Sequence, residues 1–198
     1  MREKNILYTT VRTIGYPFFM LLYHPKIIGK ENIIDEGLVI CGNHKSILDI
    51  FVLFASTRKK LHFFSKIELF NSKIKNAFFR SMGCIPVNRK EKNKDALEEG
   101  YKCLRENKLV VIFPEGTRNR TKDVIMPFKF GAVKMASVTN KKILPFAIVG
   151  DYNIFGKSIK LIFGKPYYLK TDNLEIENEV LMKKVVGLIE ENSDEKGK

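Results

Sequence analysis

A histidine and an aspartate stand five residues apart in CGNHKSILDI, residues 41–50, between two apolar runs. On a continuous helix, two side chains at this spacing point about 140° apart and are separated by about 7.5 Å along the axis. His44 and Asp49 can therefore meet only if the chain bends between them. A carboxylate that meets an imidazole accepts one ring N–H and stabilises the protonated ring, so the other nitrogen can take a proton from a hydroxyl. Such a pair is a general base, and the spacing leaves open which ring nitrogen acts.

A helix start supplies the bend. Ser46 and Asp49 form an S-x-x-D capping pattern ahead of the apolar run IFVLFAS,. With Ser46 as N-cap, His44 lies in the preceding loop and Asp49 lies in the first turn, where side chains lean back toward the N-terminus. Capping alone is the alternative role for Asp49, because a carboxylate in the first turn favours the helix dipole.

An anion-binding turn is predicted in LVVIFPEGTRNR, residues 109–120, where a buried-type strand runs into a turn,. Gly116 permits a backbone conformation or a close approach that a side chain would block. Arg118 offers a planar fork for two phosphate oxygens. Glu115 needs a partner, either Arg118 or a substrate hydroxyl. The alternative is a solvated turn with a surface ion pair.

Two further cations are candidates for the same site. Arg89 follows a short strand in GCIPVNR, residues 83–89, and Lys129 precedes a helical pattern in MPFKFGA. Ligands of α/β proteins bind outside the carboxyl ends of parallel strands. Strand-end arginines in one sheet therefore predict binding of a phosphate at that edge.

Short apolar, β-branched runs alternate with helical patterns, which predicts a single α/β domain with a mixed, mostly parallel sheet flanked by helices. The predicted strands are 37–41, 61–64, 84–87, 109–113, 143–149 and 159–163, and the predicted helices are 46–57, 67–82, 93–107, 129–140 and 174–191. The last two strands are close enough in sequence to form a hairpin.

Residues 1–29 are predicted to form an N-terminal amphipathic segment at a membrane interface, followed by the main domain at 30–198. The uncharged stretch TIGYPFFMLLYHP, residues 13–25, is shorter than the roughly 20 residues that span a bilayer,. Aromatic residues are concentrated in it and basic residues flank it, which favours peripheral attachment to the cytoplasmic face. A helix packed on the domain is the alternative.

The composition limits the classes of partner that the protein is expected to bind. The 198 residues carry a formal net charge of +13, with 44% hydrophobic and 29% charged residues, which are globular values,. The charge fits an anionic lipid surface, a nucleic acid, or a phosphorylated or acidic substrate. Cys41 ends an apolar strand, so a Cys–His nucleophile is disfavoured. The histidines show no metal-ligand spacing, and no metal is expected.

Taken together, four blocks resemble the glycerolipid acyltransferase family, specifically 1-acyl-sn-glycerol-3-phosphate acyltransferases. NHKSILD (43–49) is similar to the family's N-H-x-x-x-x-D block, and FPEGTR (113–118) matches its third block. GCIPVNR (83–89) and ILPFAIV (143–149) resemble the second and fourth blocks. The resemblance covers about residues 30–165.

The resemblance implies transfer of a fatty acyl group from a thioester to the sn-2 hydroxyl of lysophosphatidic acid. His44 would be the base and Asp49 its partner, and Arg89, Glu115, Gly116 and Arg118 would bind the phosphate and glycerol of the acceptor. The thioester is acyl-CoA or acyl carrier protein, with no further cofactor. Donors for the tetrahedral oxyanion are expected among backbone N–H groups near residues 43–46.

Two alternatives remain. One keeps the chemistry and changes the acceptor to another lysolipid. The other is a non-catalytic basic module that binds membrane or nucleic acid. Nucleic acid is not expected as a partner, because the aromatic residues pattern as core positions and no nucleic-acid-binding motif occurs.

Overall fold

The computed structural model describes residues 6–88, 94–156 and 158–193. Within these ranges the helices are α1 (Ile6–Tyr23), α2 (Asp49–Ser56), α3 (Lys73–Ser81), α4 (Lys94–Arg105), α5 (Gly131–Thr139) and α6 (Leu174–Glu190). The strands are β1 (Lys26–Ile28), β2 (Leu38–Gly42), β3 (Leu61–Lys66), β4 (Cys84–Val87), β5 (Leu109–Ile112), β6 (Lys142–Val149) and β7 (Lys160–Phe163). Short 3₁₀ turns lie at Lys30–Asn32 and Ile67–Phe70.

The strands form one seven-stranded sheet in the order β1-β7-β6-β2-β5-β3-β4. Neighbouring strands are parallel throughout except for β6 and β7, which form the antiparallel hairpin that the sequence predicts. The prediction of a mixed, mostly parallel sheet is confirmed.

The core lies on both faces of the sheet, because alternate residues of each strand point to opposite sides. In β2, Val39 and Cys41 contribute to the cluster that packs under α4, α5 and α6. Leu38 and Ile40 contribute to the cluster on the other face, under α1 and α2. Every residue of β2 is buried, which explains why its sequence reads as an unbroken apolar run,.

The topology places three connections at one edge. β6, β2 and β5 are adjacent and parallel, so their carboxyl ends meet. The segments that follow these strands begin at Asn43, Phe113 and Gly150. All the candidate chemistry of the described residues lies on or beside these segments.

Two predicted helices differ from the structure. The helix predicted from residue 46 begins at Asp49, after a turn. The helix predicted over 67–82 is divided into the 3₁₀ turn and α3, because Ser72 is extended and its hydroxyl caps α3 by accepting the Lys75 N–H. β1 was not predicted; its three residues are only partly buried and carry no periodic signal.

α1 lies across the α2 face of the domain. Phe19 is one of its two buried residues, and its ring stacks on Phe51 of α2 with 5.9 Å between centroids. An Arg12 N–H also donates to the Phe54 carbonyl at 3.0 Å. In the part of the chain that the structure describes, no helix is both long enough and apolar enough to cross a membrane.

Candidate active site

His44 and Asp49 meet at the carboxyl end of β2. His44 Nδ1 lies 2.8 Å from Asp49 Oδ2. The Asp49 carboxylate is fully buried, with 0% exposure, and the imidazole is 13% exposed. The predicted pairing across a bend is therefore present in the structure.

The carboxylate itself holds the bend in place. Asp49 Oδ2 also accepts the backbone N–H groups of Lys45 at 2.7 Å and Ser46 at 2.9 Å. The predicted N-cap role of Ser46 is wrong, because its hydroxyl accepts the Leu48 N–H within the turn and α2 begins three residues later. Half of the expected capping box remains: the acidic residue reaches back to the backbone ahead of the helix.

The geometry distinguishes the two ring nitrogens of His44. With Nδ1–H donated to Asp49, the neutral imidazole carries its lone pair on Nε2,. The ring stacks on Phe113, which follows β5, with 3.9 Å between centroids and 19° between planes. The carboxylate and the stacked ring together fix the orientation of Nε2.

Glu115 joins the turn after β5 to the loop between β2 and α2, residues 43–48, which is called the histidine loop below. Its Oε1 accepts the His44 N–H at 2.8 Å, and its Oε2 accepts the Met126 N–H at 2.9 Å. The carboxyl is 4% exposed, and burial raises its pKa against the lowering effect of the two N–H donors,. The sequence predicted Arg118 or a substrate hydroxyl as the partner of Glu115. In the structure, its two oxygens instead accept backbone N–H groups.

The N–H groups at residues 44–46 are consequently occupied. His44 donates to Glu115, and Lys45 and Ser46 donate to Asp49. These three groups are not free to bind a tetrahedral oxyanion in the described structure, because each already donates to a carboxylate. The wider expectation, of backbone N–H donors near residues 43–46, stays a prediction.

The carboxyl end of β6 also holds the loop between β2 and α2, through hydrogen bonds to Asn43 and Lys45. The buried amide of Asn43 pairs with the backbone of Ile148 in both directions, at 2.9 and 2.7 Å. Lys45 Nζ donates to the Gly150 carbonyl at 2.9 Å. The loop between β2 and α2 is thus held between the segments that follow β5 and β6.

The predicted phosphate-binding turn lies beside the histidine. Gly116 has φ +73°, a left-handed conformation, and a Cβ at this position would stand 2.9 Å from Lys129 Nζ,. The Asn119 N–H donates to the His44 carbonyl at 2.7 Å, so Arg118 is adjacent to a residue that contacts the histidine loop. Arg118 and Lys129 are both exposed. Lys129 is therefore held against Gly116, and Arg118 lies in the same turn, which is joined to the histidine loop through Asn119.

Arg89 lies outside the described residues, so its predicted contact with the phosphate stays a prediction. β4, which precedes it, ends at Val87 and is parallel to β3 at the edge of the sheet.

Two contacts of the site were missed from the sequence. Tyr152 donates its hydroxyl to Asp49 Oδ1 at 2.6 Å, and the Phe113 ring covers His44. Tyr152 is 103 residues from Asp49, and only the adjacency of β6 and β2 brings the two together. No local sequence pattern signals that contact.

Cys41 is a core residue. It is fully buried, and desolvation followed by the nearby charge of Glu115 raises the pKa of its thiol well above the ordinary value,. A thiol in this state is a poor nucleophile, which agrees with the low weight that the sequence gives to a Cys–His arrangement.

The chain belongs to the acyltransferase family, because residues 24–149 match the family model described as acyltransferase. The protein is accordingly a transferase that moves an acyl group to a hydroxyl. The resemblance read from the four sequence blocks is confirmed.

Known relatives carry a more specific name. The chain is 33% identical over 149 residues to the 1-acyl-sn-glycerol-3-phosphate acyltransferase of Bacillus subtilis, covering 72% of this chain and 73% of the relative. It is 34% identical over 146 residues to the enzyme of the same name from Borreliella burgdorferi, covering 72% and 58%. The crystal structure of the 1-acyl-sn-glycerophosphate acyltransferase from Thermotoga maritima has the same fold, with a TM-score of 0.77 at 22% identity over 100% of this chain and 86% of that one.

Proposed function

We propose that the protein transfers a fatty acyl group from a thioester to the sn-2 hydroxyl of 1-acyl-sn-glycerol-3-phosphate, forming phosphatidic acid. The observation that carries the proposal is the 2.8 Å contact between His44 Nδ1 and Asp49 Oδ2, which leaves Nε2 for a substrate hydroxyl. The neighbouring turn, joined to the histidine loop through Asn119, carries the exposed Arg118 and packs on Lys129. The shared name of the curated relatives supports the acceptor.

In the proposed reaction, His44 Nε2 accepts the proton of the sn-2 hydroxyl while its oxygen attacks the thioester carbonyl. The buried carboxylate of Asp49 stabilises the imidazolium that forms,. Collapse of the tetrahedral intermediate breaks the carbon–sulfur bond, and the departing thiolate takes the proton from the imidazolium. A positioned general base of this kind contributes roughly 10²- to 10⁴-fold to the rate.

The acceptor phosphate is assigned to the cations beside the histidine. Arg118 can contact two phosphate oxygens at once, and Lys129 adds a point charge next to Gly116,. Because Gly116 has no side chain, the Lys129 side chain can lie directly against the backbone of this turn. Arg89 joins this group as a prediction from the sequence.

Peripheral attachment to an anionic bilayer is part of the proposal. α1 exposes apolar side chains, among them Ile14 and Phe18, and α3 exposes Ile74 at 84%. Lys73 and Lys75 flank Ile74, and the net charge of the chain is +13. Apolar insertion and attraction of lysines to anionic lipid, worth roughly 1 kcal/mol per cation near the surface, act together at such a face.

Acyl-CoA and acyl carrier protein both present a thioester, so the proposal accommodates either donor. The deciding experiment gives the purified full chain both donors, in turn, with a panel of lysolipids on anionic vesicles. The account expects the fastest transfer with 1-acyl-sn-glycerol-3-phosphate and a product acylated at sn-2, identified by mass spectrometry.

Faster transfer to a different lysolipid would replace the proposed acceptor and keep the chemistry. Absence of transfer to every acceptor, together with tight nucleic-acid binding that weakens steeply with salt, would favour the non-catalytic module.

A further inference from the structure

Tyr152 follows β6 and reaches the buried carboxylate of the site. Its hydroxyl donates to Asp49 Oδ1 at 2.6 Å. The other oxygen, Oδ2, accepts the His44 ring and two backbone N–H groups. The two carboxylate oxygens of Asp49 are thus bound by different partners, and the Tyr152 hydroxyl is the side-chain donor to Oδ1 in the described part of the chain.

The tyrosine ring is held by α1. Tyr23 packs edge-on against it, with 5.9 Å between centroids and 82° between planes. The connection that carries Tyr152 is also fastened to α1, because the Phe155 N–H donates to the Leu22 carbonyl at 2.6 Å. The hydroxyl therefore has a fixed approach to Asp49.

The hydroxyl keeps its proton at working pH. Burial, followed by the negative charge of Asp49, raises the pKa of Tyr152 above its ordinary value,. It is a hydrogen-bond donor throughout the range in which histidine titrates.

We propose that Tyr152 is a positioning residue: it fixes the Asp49 carboxylate and draws negative charge from it, and so sets the pH range in which His44 is a neutral base. The inference rests on the proposed function for its kinetic consequence only. A hydrogen bond to the carboxylate competes with the imidazolium for the same charge, so its removal stabilises protonated His44.

The titratable groups around the pair come from several elements. Glu115 after β5 and Tyr152 after β6 interact with the pair itself. Behind them lie Cys41 at the end of β2, beside Glu115, and Tyr23 in α1, against Tyr152. The Lys45 ammonium in the histidine loop points to Gly150 and Asp151. Only Tyr152 donates a side-chain hydroxyl to the carboxylate among these, which makes its removal a specific change.

The test is an NMR titration of the His44 ring in Tyr152→Phe, without substrate. The chain has three histidines, so the His44 signal is assigned by its loss in His44→Gln. The expected result is a midpoint moved to higher pH by roughly half a unit to one unit. A midpoint that does not move, or that moves to lower pH, would overturn the proposal.

Tyr167→Phe is the matched control. The Tyr167 hydroxyl is buried without a hydrogen-bond partner among the described residues, and its ring packs on the opposite face of the sheet. This change also removes one buried hydroxyl, and it should leave the His44 midpoint and the acyl-transfer rate unchanged.

Steady-state kinetics of Tyr152→Phe test the same proposal independently. Tyr152→Phe should lower kcat by roughly tenfold, with KM for both substrates within twofold, and move the acid limb of the pH profile to higher pH. In an Asp49→Asn background the same change should alter kcat by less than twofold. Equal losses in both backgrounds would show that Tyr152 does not act through Asp49.

A second measurement needs no change at Tyr152. The ¹³Cζ resonance of its ring should shift in Asp49→Asn and remain in place in Asp151→Asn, which alters an exposed neighbouring carboxylate. If the unaltered protein shows no acyl transfer but both NMR results appear, the proposed function fails and the role of Tyr152 stands. If transfer is observed and the His44 midpoint does not move in Tyr152→Phe, the proposed function stands and the role of Tyr152 fails.

Discussion

Among single residues, Arg118 and Arg120 differ in their place on the turn after β5. Both are exposed and positively charged and both adjoin Asn119, whose N–H binds the His44 carbonyl, but Arg118 lies on the side nearer Gly116 and belongs to the block proposed to bind the phosphate. Arg118→Ala should lower kcat/KM for 1-acyl-sn-glycerol-3-phosphate by roughly 10- to 100-fold, because a charged hydrogen-bond partner of the phosphate is lost.

Arg120→Ala removes the same charge two residues later and should change that value less than threefold. The measurement compares both variants on the phosphorylated acceptor and on 1-acylglycerol. An equal loss on the acceptor without phosphate would remove Arg118 from phosphate binding.

Changing Glu115 tests whether its buried carboxylate stabilises the loop that carries His44. Glu115→Gln puts an amide NH₂ against one of two N–H donors, from His44 or Met126. The free energy of unfolding should fall by about 1–3 kcal/mol, and kcat should fall with it because the His44 backbone is released. Urea unfolding and steady-state kinetics measure the two effects. Unchanged stability with a raised KM for the acceptor would instead indicate direct substrate contact.

The residue types at the site were largely predictable, and their partners were predictable only where the contact is local in the sequence. The five-residue spacing and the helix start predicted the contact of His44 with Asp49 because both effects are local. Glu115 was identified as needing a partner, but the donors at Met126 and His44 depend on how two separate connections fold together. The contact of Tyr152 depends on strand order, which local patterns do not contain.

Among the secondary-structure elements, α1 has one face packed on the domain and one face exposed, and two neighbouring phenylalanines lie on these different faces. Phe19 is 7% exposed and stacks on α2, whereas Phe18 is 63% exposed. Phe19→Ala should lower the free energy of unfolding by about 3 kcal/mol or more, since a packed aromatic ring is lost. Phe18→Ser should leave it within about 0.5 kcal/mol and weaken binding to anionic vesicles by roughly tenfold.

Urea unfolding and vesicle co-sedimentation separate these effects. Full vesicle binding by the Phe18 variant would exclude this face of α1 from the membrane contact. The sequence allowed two roles for this segment, a helix packed on the domain and a membrane-interface helix. α1 packs on the domain through Phe19, and a membrane contact through its exposed face remains a prediction.

Most elements were predicted because their apolar periods are strong. The buried strands read as continuous apolar runs, and the helices α4 to α6 lie within about two residues of their predicted bounds. β1 was missed because a three-residue strand carries no period. The break before α3 was missed because the apolar spacing continues through Ser72, whose extended backbone ends the preceding turn.

At the scale of the whole molecule, the net charge of +13 predicts a salt-dependent membrane interaction. Binding to anionic vesicles should weaken by at least tenfold as salt rises from about 0.05 to 0.5 M, because the screening length falls. Transfer to a soluble short-chain acceptor should change less than threefold over the same range. Binding that is equal on neutral and anionic vesicles at low salt would contradict the electrostatic part of the proposal.

The alternation of predicted strands and helices was enough to predict the fold class. It was not enough to predict which connections meet at the site. The order β6-β2-β5 decides which three connections meet, and it arises from long-range pairing of parallel strands. Composition indicated an anionic partner without choosing between lipid and phosphate. The relatives and the geometry at His44 supply the rest of the proposal.

The proposed reaction requires His44, held by Asp49, to act as the general base. The most direct measurement is acyl transfer by purified His44→Ala beside the unaltered protein, with saturating thioester and 1-acyl-sn-glycerol-3-phosphate on anionic vesicles and with the unfolding midpoint of each protein recorded. If His44 is the base, the variant should fold and its kcat should be lower by roughly 10²- to 10⁴-fold. A folded variant whose activity stays within a few-fold of the parent would contradict it.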